Sequence, residues 1–344
     1  MTETNTILKT TDLCIGFPGK KNNGSVIYKN INIQAGKKEL VALLGANGIG
    51  KSTLLRSLVK LQDPVSGEIS LFDQDIRSLT RTQMARKVGF VSTEVIQVNN
   101  LSVFDLVALG RYPHTSWTGR LTGHDRDKVE EAISMVGIAS KRNRYINRLS
   151  DGERQRVMIA RTLAQDTELI VLDEPTAFLD LPNKYEIVHL LHKLANERGK
   201  TIIFSTHDLN IAIQEADRLW LMLDDSILQG APEDLILSGS FGKLFQESNL
   251  KFNSDKGEFR IAREHSCDIY LQGPETEFFW TRNALNRSGF RVTENKGEKM
   301  AIKIEKDRGT IIWNLTDGPD SFYFNSVYDM CLFLGKKLHH PEHT

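Results

Sequence analysis

The sequence predicts an α/β fold in which short apolar strands alternate with amphipathic helices. Apolar, β-branched runs at Glu168–Leu172 and Thr201–Phe204 have the length expected of buried parallel strands. Between them, Tyr185–Arg198 repeats apolar side chains at helical spacing. Shorter strands are expected at Ile69–Phe72 and Val88–Val91. In folds of this kind, the groups that bind ligands lie at the carboxyl ends of the strands.

A glycine-rich loop joins a predicted buried strand at Glu39–Leu44 to a predicted helix that continues from Leu54. It reads GANGIGKST and consists of Gly45, Ala46, Asn47, Gly48, Ile49, Gly50, Lys51, Ser52 and Thr53. Glycines allow successive backbone N–H groups to turn inward around an anion. Lys51 can then reach the β and γ phosphates of a nucleotide, and Ser52 can offer its hydroxyl to Mg²⁺. A turn that binds nothing is the alternative, and the Lys-Ser pair between strand and helix argues against it.

Two adjacent carboxylates follow the predicted strand Glu168–Leu172. We expect Asp173 to hold Mg²⁺, directly or through water, and Glu174 to act as the general base on the attacking water. Without the upstream loop, the pair reads equally well as a solvated turn.

A histidine follows the next predicted strand. The imidazole of His207 can hydrogen-bond the γ-phosphate of a nucleotide and report its presence. Taken by itself, His207 is more simply explained as a residue at the start of a helix that Asp208 or Thr206 caps.

The segment Leu149–Arg156, which reads LSDGERQR, opens another predicted helix. Ser150 and Glu153 have the spacing of a capping box, and apolar residues follow at helical intervals. Because a helix N-terminus is itself a site that attracts anions, the capping role does not exclude a functional one.

Composition excludes several classes of protein. The 344 residues suffice for one large domain and a small one, and 44 basic residues balance 44 acidic ones, so no nucleic-acid partner is expected. Mean hydropathy is −0.32, and no apolar run approaches the roughly 18–20 residues of a membrane span. The N-terminus lacks the apolar core of a signal peptide. Three widely spaced cysteines, Cys14, Cys267 and Cys331, fit a reducing compartment and predict a cytosolic protein.

Taken together, these motifs resemble those of the ATP-binding cassette (ABC) ATPases, over roughly Leu8 to Ile261. GANGIGKST is similar to the Walker A motif of that family, LIVLDE to its Walker B motif and LSDGE to its signature motif. Ala177–Asp180 resembles the D-loop, and His207 stands where the switch histidine belongs. The resemblance implies an ABC-type P-loop NTPase domain with a helical subdomain.

The same resemblance implies a head-to-tail homodimer that uses ATP and Mg²⁺. Ser150 and Gly152 of one subunit would close over ATP held by the other, with Glu153 and Asp180 also at the nucleotide. Hydrolysis by Glu174 would then reopen the dimer.

Two assignments need comment beside the family pattern. Phe17 occupies the place where the family stacks an aromatic side chain on adenine, and Tyr28 is the other candidate. Where the family usually has a glutamine that touches Mg²⁺ and the attacking water, this chain has Glu94, with Gln97 three residues later. We assign both the catalytic and the metal role to Glu94 by position.

The signature motif also departs from the family, because it has Asp151 and Glu153 where glycine and glutamine are commoner. Their negative charges lie near an expected anion site, so we expect both side chains to point outward.

Further segments resemble the importer ATPases for iron–siderophore complexes, haem and cobalamin: Leu109–Gly119 reads LGRYPHTSWTG, and Thr206–Asn210 reads THDLN. This resemblance implies integral membrane permease subunits as partners, an indirect extracytoplasmic substrate-binding protein, and a peripheral position at the cytoplasmic face of the inner (cell) membrane. His114 and Tyr112 are not expected to bind iron, because such an ATPase does not touch the cargo. The alternatives are the ATPase of another importer or an exporter, a soluble ABC protein acting on ribosomes or DNA, and a subunit that binds ATP without hydrolysing it.

The organisation changes after about Ile261, so we place an ATPase domain at residues 1–262 and an appended domain at 263–344. Asp268–Gln272 is a predicted strand and Glu275–Arg287 a predicted amphipathic helix. Strands are expected at Arg291–Thr293, Met300–Ile304 and Thr310–Asn314, and a final helix at Ser326–Leu338. This order suggests a compact α+β unit. It could bind a small ligand and regulate the ATPase, or support dimerisation.

Overall fold

The computed structural model describes residues 6–17, 25–92, 100–116, 119–244, 249–254, 257–293, 295–307 and 309–339. The chain divides into two compact units. The first consists of Met1–Gln246 and Phe252–Phe259, and the second of Glu247–Lys251 and Arg260–Thr344.

Strands and helices alternate through most of the first unit, as the sequence predicts. Its strands are β1 (Thr6–Phe17), β2 (Ser25–Ile31), β3 (Gln34–Gly36), β4 (Leu40–Gly45), β5 (Ser66–Leu71), β6 (Gln74–Asp75), β7 (Val88–Val91), β8 (Leu169–Leu172), β9 (Thr201–Ser205), β10 (Arg218–Met222) and β11 (Ile227–Gly230). Two further strands, β12 (Leu250–Asn253) and β13 (Glu258–Ile261), pair with each other, and each has residues in both units. The helices are α1 (Lys51–Leu58), α2 (Arg81–Lys87), α3 (Val103–Ala108), α4 (Gly123–Met135), α5 (Asp151–Ala164), α6 (Leu181–Arg198), α7 (Leu209–Glu215) and α8 (Pro232–Leu237).

A six-stranded sheet in the order β11-β10-β4-β9-β8-β7 forms the centre of the first unit. Five of its strands are parallel, and β11 is antiparallel at one edge. Alternate residues of β4 belong to different hydrophobic clusters: Leu40 and Ala42 to one, Val41 and Leu43 to the other. The sheet is therefore buried on both faces, which confirms the predicted α/β class.

A second, antiparallel sheet has the order β2-β1-β5-β6, with β3 also paired to β1. The sequence predicted only part of it, because its pairing depends on contacts between distant segments.

Helices α3, α4 and α5 supply much of the larger hydrophobic core. Helix α5 begins with the predicted capping box, in which Ser150 Oγ accepts the N–H of Glu153 and the carboxylate of Glu153 accepts the N–H of Ser150.

The second unit contains β14 (Cys267–Gln272), α9 (Glu275–Arg287), β15 (Phe290–Thr293), β16 (Met300–Asp307), β17 (Thr310–Asp317), β18 (Asp320–Phe324) and α10 (Val327–His339). Its sheet has the order β15-β14-β16-β17-β18, which confirms the predicted α+β character and adds the unpredicted strand β18. The core includes Ile269, Leu285 and Leu315. Inside it, Trp313 Nε1 donates a hydrogen bond of 2.8 Å to Thr281 Oγ1, which satisfies two buried polar groups.

Helix length and polarity bear on membrane insertion. Within the described ranges, we find no helix that combines the length and the apolar character needed to cross a bilayer.

Candidate active site

The glycine-rich loop lies between β4 and α1, at the carboxyl end of a central strand. Gly48 and Gly50 have φ angles of 80° and 113°, in the left-handed region that favours glycine. A Cβ at Gly50 would lie 2.9 Å from Ile27 Cγ2, so the loop also requires glycine there for lack of space. The sequence thus makes a turn whose backbone is free to face a ligand.

The side chain of Lys51 folds back over this loop. Its Nζ donates to the carbonyl oxygens of Gly45 at 2.9 Å and Ala46 at 3.0 Å, and the residue is only 6% exposed. Burial lowers the pKa of the Lys51 ammonium, while the charges of Glu174 and Asp173 oppose that shift. The structure therefore places a buried cation between the loop and the two carboxylates.

Asp173 and Glu174 follow β8, and Ser205 at the end of the adjacent strand β9 joins them. Ser205 Oγ donates to Asp173 Oδ1 at 2.8 Å and accepts the backbone N–H of Glu174 at 2.8 Å. The N–H of Asp173 in turn donates to the carbonyl of Val91 on β7 at 2.9 Å. These contacts hold both carboxylates at the edge of three parallel strands.

Glu174 has a φ angle of 46°, which is unusual for a residue with a side chain. Such conformations cost free energy and cluster at functional sites. Because Ser205 accepts its N–H, the neighbouring strand helps to hold this conformation.

The second carboxylate oxygen of Asp173 tests whether the site suits Mg²⁺. Asp173 is 1% exposed, and its Oδ2 is buried without a hydrogen-bond partner among the described residues. A buried acceptor of this kind costs free energy unless a ligand satisfies it. Carboxylate and hydroxyl oxygens are the ligands that Mg²⁺ prefers, and Ser52 lies in the first turn of α1 next to Lys51. The residues present fit the ion.

His207 lies beyond β9, and its Nδ1 is 3.9 Å from Glu174 Oε2. Its side chain is 51% exposed, while Thr206 is buried and donates its N–H to the carbonyl of Leu43. Asp208 caps α7 by accepting the N–H of Ile211, as the simpler explanation of His207 as a residue at the start of a helix predicts. The geometry nevertheless brings His207 beside the carboxylate that we expect to be the base.

The signature segment opens α5 beside the start of α6. Gly152 is buried, and a Cβ there would lie 2.8 Å from Asn183 Oδ1. Asn183 in turn donates through its side-chain amide to Asp180 Oδ1 at 2.6 Å, and Asp180 caps α6. Two helix N-termini and the predicted D-loop residue thus lie side by side.

The acidic residues of the signature behave differently from each other. Asp151 is 64% exposed and pairs with Arg154, which agrees with the expected outward orientation. The predicted outward orientation is wrong for Glu153, because its carboxylate turns back to the N–H of Ser150 and pairs with Lys141. The negative charge is neutralised locally instead of being directed into solvent.

Two of the predicted positions differ in accessibility, and two lie outside the described residues. Phe17 ends β1 and is 59% exposed, whereas Tyr28 is buried and donates its hydroxyl to the carbonyl of Leu223. Exposure favours Phe17 as a surface for an aromatic base. Glu94 and Gln97 lie in the segment 93–99, outside the described residues.

The segment that reads GRYPH forms a 3₁₀ turn, Leu109–His114. His114 Nε2 lies 2.9 Å from the carbonyl oxygen of Gln165, and Tyr112 is 77% exposed. The described residues contain no cluster of three or more histidine, cysteine or carboxylate side chains suited to a metal.

Sequence reasoning missed three polar residues that support the site: Ser205, Lys141 and Asn183. Each lies beside a motif that is distant in sequence: Ser205 beside Asp173, Lys141 beside Glu153 and Asn183 beside Gly152. Local signals existed for Ser205, which directly follows the predicted strand Thr201–Phe204, and for Asn183, which lies three residues after Asp180 at the spacing of a helix cap.

We expect Ser205→Ala to lower both stability and turnover. The change leaves the buried Asp173 Oδ1 without its hydroxyl donor, which costs about 1–3 kcal/mol in free energy of unfolding, and it releases the backbone of Glu174. Urea unfolding and phosphate release with Mg-ATP measure the two effects. Ser57→Ala is the matched control, because that buried hydroxyl has no partner among the described residues and its removal should not destabilise. Equal effects of the two changes would contradict the bridging role.

A phosphate-type loop, a buried lysine and paired carboxylates at the ends of parallel strands define a P-loop ATPase. Sequence comparisons then specify the family. Residues 28–177 match the family described as ABC transporter, and residues 266–335 match the family described as Iron ABC transporter C-terminal domain. The chain belongs to the ABC transporter ATP-binding proteins, and it is an ATPase that binds nucleotide.

Individual relatives agree with this assignment. The petrobactin import ATP-binding protein FpuC of Bacillus anthracis is 40% identical over 237 residues, covering 68% of this chain and 86% of that protein. The ferric enterobactin transport ATP-binding protein FepC of Escherichia coli (strain K12) is 33% identical, covering 71% of this chain and 89% of that protein. The dimeric, post-hydrolysis structure of the cassette MJ0796 bound to ADP and Pi has a TM-score of 0.57 and 28% identity, covering 66% of this chain and 99% of that one.

Proposed function

We propose that this chain is the ATPase subunit of an importer for iron–siderophore complexes, and that it works as a homodimer on permease subunits at the cytoplasmic face of the inner membrane. The observation that carries the proposal is the joint match of the cassette and of residues 266–335, which follow it, to families named for ABC and iron transport. FpuC and FepC, two relatives over the cassette, are named for the import or transport of iron chelates.

In the proposed reaction, Glu174 accepts a proton from the water that attacks the γ-phosphate of ATP. Lys51 exchanges its carbonyl partners for phosphate oxygens, and His207 donates to the γ-phosphate. Asp173 Oδ2 and the Ser52 hydroxyl are the groups that would hold Mg²⁺, with Glu94 assigned to the same ion by position. When bound, Mg²⁺ offsets negative charge on the β and γ phosphates.

Homodimerisation is part of this proposal, because the signature residues would complete the site of a second copy. Ser150 is exposed at the N-terminus of α5, where free N–H groups suit an anion. Phe178 and Leu181 flank Asp180 and are 88% and 63% exposed. Large apolar side chains with that exposure support an interface at this place.

A groove in the first unit supports a protein partner at the membrane. Its volume is about 510 Å³, and apolar side chains including Met84, Val88 and Phe90 line it together with Arg81 and Arg161. Burial lowers the pKa of the Arg161 guanidinium, and Arg161 has no acidic partner among the described residues. We propose that a permease segment covers this groove.

The bounds of the two domains are a separate proposal. We keep residues 1–262 as the ATPase domain and 263–344 as the appended domain, supported by the separate hydrophobic core of the latter.

Uptake assays in a strain from which the gene for this chain is deleted test the cargo. We expect the deletion to abolish uptake of ferric siderophores and to spare cobalamin, and the wild-type chain to restore the uptake. Loss of cobalamin uptake alone would overturn the proposed cargo, and unchanged uptake of both would overturn the importer role.

Lys51→Met tests the nucleotide site directly. Removing a charge-assisted contact to phosphate weakens ATP binding by about 10- to 100-fold, which corresponds to roughly 1.5–3 kcal/mol. Equilibrium binding of a fluorescent ATP analogue measures the effect. Lys193→Met changes an exposed lysine on α6 and serves as the control. Equal affinities of the two variants would remove Lys51 from the site.

A further inference from the structure

The N-terminus of α5 carries two carboxylates, Asp151 and Glu153, where the proposed function requires it to receive the triphosphate of a second copy's ATP. We infer that Lys141 is a positioning residue that neutralises Glu153 and thereby makes this acidic signature able to bind ATP. The inference rests on the proposed dimer, and it assigns a task to a residue outside the signature itself.

The geometry joins Lys141 to the signature through one carboxylate. Lys141 Nζ donates to Glu153 Oε1, and the N–H of Ser150 donates to Glu153 Oε2 at 3.1 Å. The two paired side chains are only 32% and 23% exposed, so solvent screens their charges incompletely. Lys141 itself ends the short 3₁₀ turn Ala139–Lys141, which fixes where its side chain begins.

The charge of Glu153 is the one that needs a partner. Asp151 is 64% exposed and paired with Arg154, so water screens it. Glu153 accepts the backbone N–H of Ser150, the N-cap residue of α5, and cannot leave without breaking the capping box. The hydrogen bond from Lys141 lowers the pKa of Glu153, so the carboxylate stays ionised beside the anion site.

Removal of Lys141 would therefore leave the negative charge of Glu153, in the first turn of α5, without its hydrogen-bonded cation and with only the weaker charge interaction with Arg144. That charge would repel the incoming triphosphate, whereas a glutamine at position 153 would keep the capping box without the charge. A lysine that merely fills space would show no such dependence on residue 153.

The test uses the full chain in a Glu174→Gln background, which should retain ATP in the dimer. Size-exclusion chromatography over a range of ATP concentrations gives the concentration for half-maximal dimer. We expect K141M to raise it about tenfold, K141R to leave it close to that of the background, and K141M combined with E153Q to return it to within about threefold. Lys128→Met is the matched control, because Lys128 is similarly exposed and pairs with Asp166 at 3.1 Å.

The outcomes separate the inference from the function on which it rests. If K141M dimerises at the same ATP concentration as the background, or if E153Q does not restore dimerisation, the role of Lys141 is overturned. The comparison of K141R with K141M decides the role of charge should the triple variant fold poorly. If the Glu174→Gln chain alone forms no dimer with ATP, the proposed dimer falls, and the inference with it.

Discussion

Glu174→Gln is expected to reduce ATP turnover at least about a hundredfold, because the amide cannot accept the proton of the attacking water. The change is nearly isosteric, and Lys51, Asp173 and Ser205 keep their contacts. ATP binding should therefore persist, and the variant should accumulate as an ATP-bound dimer. Phosphate release under saturating Mg-ATP measures turnover, and size-exclusion chromatography with and without ATP measures the dimer.

Glu168→Gln provides the matched control for this change. Glu168 is exposed and precedes β8, at the opposite end of the strand from Glu174, so the same chemical substitution should leave turnover near that of the wild type. A Glu174→Gln variant with wild-type turnover would end the assignment of the general base. A wild-type chain that binds ATP without turning it over would instead favour a subunit that does not hydrolyse ATP.

The arrangement around Glu174 explains why one side chain should matter so much. Its backbone has a φ angle of 46°, and Ser205 on the next strand accepts its N–H. His207 Nδ1 lies 3.9 Å from its carboxylate. A base that is held by two neighbouring strands meets the requirement that a catalytic group be placed before the substrate arrives.

Local sequence patterns predicted the parts of the site that depend on local structure. The loop Gly45–Thr53 follows a buried strand, and the capping box at Ser150 was predicted from spacing alone and is confirmed. Helix Glu275–Arg287 has the predicted bounds. In each case, the residues that decide the conformation are neighbours in sequence.

Contacts between distant segments could not be predicted in this way. Glu153 was expected to face solvent, but its partner Lys141 lies twelve residues upstream in a separate turn. Ser205 and Asp173 lie 32 residues apart in the chain and meet because the strands β8 and β9 are adjacent in the sheet. Strand β18, by contrast, forms a local hairpin with β17, and the alternation of Phe322 and Phe324 around the exposed Tyr323 was a local signal that was missed.

Arg111→Met is expected to destabilise the first unit by about 3–5 kcal/mol, because it leaves a buried carboxylate without its cation. Arg111 and Asp125 are 3% and 4% exposed, and Arg111 Nε donates to Asp125 Oδ1 at 2.9 Å. Arg111 also donates through Nη1 to the carbonyl of Ala164 at 2.7 Å, so it ties the end of α5 to the start of α4. The GRYPH segment thus supports the helix whose other end carries the signature.

The pH dependence of this effect distinguishes a lost charge pair from lost packing. Hydrogen bonds from the hydroxyl and N–H of Thr122, together with Arg111, lower the pKa of Asp125 to about 2. Since the folded pKa is below the ordinary value of about 3.9, this carboxylate contributes roughly 2–3 kcal/mol of stability at pH values above 3.9 and loses that contribution as the pH falls toward 2. In Arg111→Met, the pKa of Asp125 should rise, so protonation at lower pH should reduce the deficit.

Urea unfolding followed by hydrogen exchange in α4 and α5 measures this stability, because it reports the first unit separately from the second. We expect the difference between wild type and Arg111→Met to be largest near pH 7 and smaller near pH 4. Arg77→Met is the control, because it removes an exposed ion pair with Asp75. The side chain of Arg77 is 62% exposed, so its loss should have a much smaller effect on stability. A deficit that does not change with pH would show that Arg111 acts through packing and its bond to Ala164, and not through the charge of Asp125.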